Sequence, residues 1–113
     1  LSILSFLDLT RKSFDLSKRS LPLMDIVVEN QPSQETLAQL GVLKRQIWQK
    51  EVSEFSWYYD TQETCYFLTG DVIVTPEGGQ PVRMGKGDLV TFPAGMSCTW
   101  QILSDVKKHY LFD

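Results

Sequence analysis

A chain of 113 residues with 42% hydrophobic and 12% aromatic side chains has material for one domain around one modest core and none for a second. Its 22% charged residues, seven glycines and five prolines exclude a disordered, collagen-like or coiled-coil chain. Eleven Lys and Arg against fourteen Asp and Glu leave a net charge of -3, the wrong sign for gripping nucleic acid through its phosphates, so no direct nucleic-acid contact is expected.

Only Cys65 and Cys98 are present, too few for a disulfide-stapled secreted scaffold, and a reducing compartment is expected. No apolar run approaches the roughly 20 residues of a bilayer crossing, so no membrane contact is expected.

Residues 1 to 24 carry Arg11, Lys12, Lys18 and Arg19 against Asp8 and Asp15, whereas residues 25 to 113 hold seven basic and twelve acidic groups. The change of sign near Leu21 and Pro22 reads as an N-terminal extension, 1 to 24, on a domain of residues 25 to 113. The extension is rich in Ser and Leu and begins with Leu, as when a transit peptide has been removed or, equally, when the sequence is a truncated piece of a longer chain. Leu4, Leu7 and Leu16, with Phe6 and Phe14, allow a short amphipathic helix that docks on the body or on a partner.

From Met24 onward the signals are mostly those of strands. Asp25 to Glu29 is a β-branched run, and Ser33 to Gly41 reads as one helix with Ser33 as N-cap and Gly41 as its stop. Short apolar runs follow at 43 to 50, 54 to 59, 62 to 69, 71 to 75, 81 to 84, 88 to 92, 97 to 103 and 106 to 112. Turn clusters separate several of them: Thr75 to Gly79, Gly85 to Asp88 and Pro93 to Gly95. Many short strands joined by Gly and Pro turns predict an all-β sandwich or small barrel.

Two stretches go further, Trp57 to Gly70 and Gly87 to Trp100. In the first, Glu63 precedes Gly70 by the spacing of the first motif of the RmlC-like cupin superfamily; in the second, Gly87, Pro93 and Gly95 match the second motif, with Cys98 where that motif has His. With Trp48 to Glu54 ahead of them and Lys108 to Tyr110 near the end, these stretches resemble the small single-domain cupins of the ureidoglycine aminohydrolase type, over about residues 25 to 113. Among plant members the chain is similar to the short cupins found with the plastid transcriptionally active chromosome. The resemblance implies a double-stranded β-helix, that is, a jelly-roll barrel.

A metal-using cupin builds its site from three imidazoles and one carboxylate. This chain has one histidine, His109, in the last strand and outside both motifs. The paired histidine positions fall on Trp57 and Tyr59 or on Ser56 and Tyr58, which leaves Glu63 and Cys98 as donors, too few for zinc, iron or manganese. No metal and no cofactor are expected. If Glu63 points inward, strand alternation puts Cys65 and Phe67 on its face, and Cys98, Trp100 and Ile102 on the facing strand. The expected pocket lining is Trp57, Tyr59, Glu63, Cys65, Phe67, Cys98 and Trp100.

A carboxylate in such surroundings is raised in pKa by desolvation unless a partner offsets it, one ingredient of acid/base catalysis; equally, it accepts hydrogen bonds from tyrosines or indoles and organises the core. Cys98 as nucleophile with His109 as base and Glu63 as orienter is the candidate catalytic set, against the plainer reading of Cys98 as a small buried hydrophobe.

Two functions follow. The first is a non-catalytic interaction module docked by residues 1 to 24 onto a larger assembly, which the resemblance identifies with the plastid RNA polymerase and the chloroplast; otherwise the protein is cytoplasmic. Alone, such a barrel is expected to pair into a homodimer through its sheet edges. The second is a small-molecule enzyme or binder for a ureide-like or other nitrogenous metabolite, as the aminohydrolase relatives imply.

Overall fold

The computed structural model describes residues 25–112, so the docking arm and its amphipathic helix lie outside the described residues. Among the described residues there are seven strands: β1 (Val27–Asn30), β2 (Ile47–Lys50), β3 (Ser53–Tyr59), β4 (Glu63–Pro76), β5 (Val82–Gly85), β6 (Asp88–Phe92) and β7 (Met96–Phe112). All pairings are antiparallel. The fold is the expected cupin jelly roll, mostly β with one α-helix among the described residues.

The helix, α1 (Gln34–Leu40), has the expected caps: Ser33 Oγ accepts from the Thr36 N–H at 3.1 Å, and Gly41 closes it at φ 66° with its N–H on the Ala38 and Leu37 carbonyls. A 3-10 turn over Val42–Lys44 takes the start of the run expected as a strand from 43 to 50. Leu37 and Val42 pack with Leu89, and with the half-buried Tyr66 and Leu111, as a small apolar cluster apart from the main core.

The expected breaks at residue 70 and near residue 105 do not end strands. The runs 62 to 69 and 71 to 75 are one strand, β4, and the runs 97 to 103 and 106 to 112 are one strand, β7. Their pairing with each other shifts register between Phe67 and Val72, so both bend while the ladder continues. Gly70 allows this: at φ 124° a Cβ there would stand 2.9 Å from Val106 Cγ2.

The bend sends the two halves of each long strand into different parts of the barrel. The first half of β4 and the second half of β7 lie with β6, β1 and β2; the other halves lie with β3 and β5. Inward residues of both parts meet in one core that includes Cys65, Phe67, Val72, Val74, Val90, Phe92, Trp100 and Ile102, all at most 2% exposed.

Candidate functional site

β2 and β3 follow each other in sequence and pair with opposite halves of β7, Trp48 facing Lys108 in one ladder and Phe55 facing Trp100 in the other. Between them lies a cavity of about 180 Å³. Its walls are Trp48, Phe55, Trp57, Tyr59, Trp100, Tyr110 and Phe112, and its polar groups include Glu63 and Lys108. Trp57 and Phe112, 50% and 55% exposed, form its rim.

The floor is an ion pair. Lys108 Nζ donates to Glu63 Oε2 at 2.6 Å, with the two side chains 5% and 7% exposed. Glu63 Oε1 has no hydrogen-bond partner among the described residues. Three rings surround the ammonium, Trp100 at 5.0 Å, Trp48 at 5.1 Å and Phe92 at 5.8 Å from Nζ to centroid, so their negative faces stabilise a charge largely withdrawn from water. Burial alone pulls the Lys108 ammonium down, but Cys65 and Glu63 oppose it and the net shift is upward. Burial pushes the Cys65 thiol up to about 12, so near pH 7 it is neutral and the Glu63 carboxylate supplies the attraction.

The aromatic wall is locked by its own contacts. Tyr59 stacks on Phe92 at 4.7 Å and 6°, Phe55 stacks on Trp100 at 5.9 Å, and Trp48 meets Trp100 edge-on at 5.8 Å. Trp100 Nε1 donates to Tyr59 Oη at 3.1 Å. Burial first, then the Glu63 charge, raises Tyr59 well above its ordinary 10.0, so the phenol stays protonated.

The two sequence registers for the missing imidazoles are now distinguished. Trp57 and Tyr59 line the cavity beside Glu63, whereas Ser56 and Tyr58 are exposed. Of the other expected lining residues, Trp100 reaches the cavity, while Cys65 and Phe67 lie fully buried in the core. Cys98 lies against a second, more open hollow of about 620 Å³ beside the turn at Pro76 to Gly79. Its thiol donates to the Trp57 carbonyl at 3.7 Å and burial pushes it up to about 11.

The catalytic set of Cys98, His109 and Glu63 is not assembled. Cys98 and His109 lie on opposite faces of β7, eleven residues apart, which is on the order of 30 Å along a strand. His109 Nδ1 lies 2.8 Å from the Arg45 carbonyl. Nor do the residues fit a divalent ion: the retained carboxylate holds an ammonium, aromatic rings stand at the imidazole positions, and among the described residues no three His, Cys, Asp or Glu side chains gather into a metal-binding group.

Sequence reasoning missed Lys108, Trp48, Phe55, Tyr110 and Phe112. The signal for Lys108 was present: Trp100, Ile102, Val106 and Lys108 share one parity along β7, and the first three are buried.

A family model described as an EutQ-like cupin domain matches residues 37–110. Among solved structures, a DUF861 family protein from Thermotoga maritima is 53% identical with a TM-score of 0.76, the match covering 79% of this chain and 100% of that one. A putative ethanolamine utilization protein Q from Salmonella typhimurium is 24% identical, TM-score 0.53, over 58% of this chain and 53% of that one. The EutQ protein of Clostridium difficile is 16% identical, TM-score 0.54, over 77% of this chain and 66% of that one. The latter two likenesses carry the fold alone. No curated protein matches the chain.

Proposed function

The chain belongs to the EutQ-like cupin domain family, and we propose that within it this protein is a small-molecule cupin working without a metal ion, whose pocket takes a ureide-like or other small nitrogenous metabolite. The observation that carries this reading is the ion pair of Lys108 and Glu63 on the floor of an open aromatic cavity. Concave apolar walls with a few convergent polar groups are the usual make-up of a ligand site. The aromatic rings suit a flat ligand, and the two charges give it a fixed polar anchor.

All three tryptophans, Trp48, Trp57 and Trp100, line the pocket, so indole fluorescence reports directly on its occupancy. Titration with small ureides and amides is expected to give a saturable change that Trp100→Phe diminishes. A chain whose indole emission and indole N–H resonances stay unmoved by every such compound is not a binder of this class.

A second reading has one feature in its favour. Trp57 and Tyr58, 50% and 57% exposed, lie on β3, which has β7 as its one strand partner among the described residues. Exposed aromatic side chains on an open sheet edge suit an accessory subunit of a larger assembly. The plant-like resemblance would make that assembly the plastid RNA polymerase, in the chloroplast, with residues 1 to 24 as docking arm; alone, the same edge would pair in a homodimer. Pull-down from plastid extract with and without residues 1 to 24 tests it: polymerase subunits retained by the full chain and lost on truncation support the reading, and their absence from both samples ends it.

A further inference from the structure

The arrangement at the pocket floor specifies more than a small ligand; it specifies the charge and shape of the group that ligand presents. Resting on the pocket reading above, we infer that Lys108 and Glu63 act as a paired donor and acceptor for one neutral carboxamide-type group, Lys108 donating to its carbonyl oxygen and Glu63 Oε1 accepting from its N–H.

Both side chains are more than nine-tenths buried, belong to long paired strands, and border the cavity. Lys108 has three N–H donors: Glu63 Oε2 takes one, and the Cys65 sulfur lies close enough to act on the ammonium as well. That leaves a third donor on a side chain that borders the cavity. On the carboxylate, Oε2 is engaged, and Oε1 is without a partner among the described residues. A donor and an acceptor therefore stand side by side, the complement of an amide edge, and the flat group between them lies against aromatic faces.

Charge decides which ligand fits. The pair is neutral as a whole, so a carboxylate ligand would place a net negative charge in a site shielded from water, and an ammonium or metal cation a net positive one. A neutral amide adds none and satisfies both open positions at once. In this way the tethered ammonium does the work of orienting a ligand oxygen that a bound ion does in a metal-using cupin.

The test compares benzamide, benzoate and benzamidine, equal in size and differing in charge, by indole fluorescence with EDTA present and again with added zinc or manganese. Benzamide is expected to bind at least about tenfold more tightly than either charged analogue, a gap expected of a charge-assisted hydrogen bond against a buried unbalanced charge, and to be indifferent to EDTA and metal. Because Lys108→Met alone strands a buried carboxylate, the decisive variant is Lys108→Met with Glu63→Gln, checked for an unchanged circular dichroism spectrum. It is expected to weaken benzamide by about tenfold or more.

Tighter binding of benzoate, a requirement for added metal, or full affinity in the folded double variant each overturns the inference. Binding of other small amides or ureides with none of the three benzene compounds bound also overturns it while leaving the pocket reading standing. No response to any compound removes both.

Discussion

Replacing Lys108 with Met is the most informative perturbation of the fold. At a separation of 2.6 Å, the gross attraction between the two charges is about 6 kcal/mol at an effective dielectric constant of 20. Against it stands a desolvation penalty of several kcal/mol for each ion, because both side chains are within 7% of full burial. The two contributions nearly cancel, so the intact pair adds little net stability over a well-packed neutral substitute. Removing one member does not cancel. Lys108→Met leaves the Glu63 carboxylate without its partner among rings and is expected to cost about 3–5 kcal/mol; Glu63→Gln strands the ammonium at about the same cost. The double variant is expected within about 1 kcal/mol of the parent chain. Urea unfolding followed by tryptophan emission measures all four proteins on one scale. Since a domain of this size commonly holds only about 5–15 kcal/mol, each single variant should show a large drop in midpoint with an unchanged slope. A double variant whose loss equals the sum of the two single losses would refute the reasoning, for the charges would then be independent of each other.

The remaining predictions probe the titrating groups, the bend and the cap. Cys65 rises from 9.0 to about 12 and Cys98 from 9.0 to about 11, while Tyr59 and Lys108 also rise. All four bind their protons more tightly when folded, so their contribution is full below pH 9, the ordinary thiol value, and is lost as pH climbs through the folded values, seen as a falling urea midpoint above pH 9. The same shifts make both free thiols slow toward a disulfide reagent at pH 8 in the native chain, and two equivalents should titrate once urea unfolds it. Gly70→Ala forces a side chain into φ 124° and within 2.9 Å of Val106, and should lower stability by about 1–3 kcal/mol in thermal melts. Ser33→Ala removes the cap on α1 and should cost about 1 kcal/mol in the same measurement.

Local rules sufficed where the determining interactions are local. Ser33 and Gly41 bound α1 because the cap bonds join residues three or four apart, which the sequence displays directly. Alternation likewise identified the buried sets Glu63, Cys65, Phe67 and Cys98, Trp100, Ile102, since a half-buried strand repeats every two residues. It failed where two strands answer to each other. Gly70 reads locally as a stop, yet the ladder between β4 and β7 continues past it with a shift in register. The choice between Trp57 with Tyr59 and Ser56 with Tyr58 was open because only the pairing of Trp57 with Cys98 fixes which parity faces inward. Lys108 was passed over for a related reason: alone it reads as a solvated charge, and its burial follows from Glu63, 45 residues away.

Stability does not account for the pair. Near-cancellation of attraction and desolvation means that a Met and a Gln at these positions would hold the core about as well. What those residues would lack is an ammonium already oriented by Glu63 and three rings, and, beside it at the cavity, a carboxylate whose Oε1 has no partner among the described residues. Both are set by β4 and β7, the two long strands with the most extensive ladder, so the groups need no rearrangement before a ligand arrives. The walls are equally fixed, because Tyr59 is stacked on Phe92 and bonded to Trp100, and Trp100 is stacked on Phe55. The rim is different: Trp57 and Phe112 are half exposed. A rigid polar floor beneath a looser aromatic rim is the arrangement expected of a site that admits a ligand from solvent and then orients it, and it places recognition in the floor, where Lys108 and Glu63 stand.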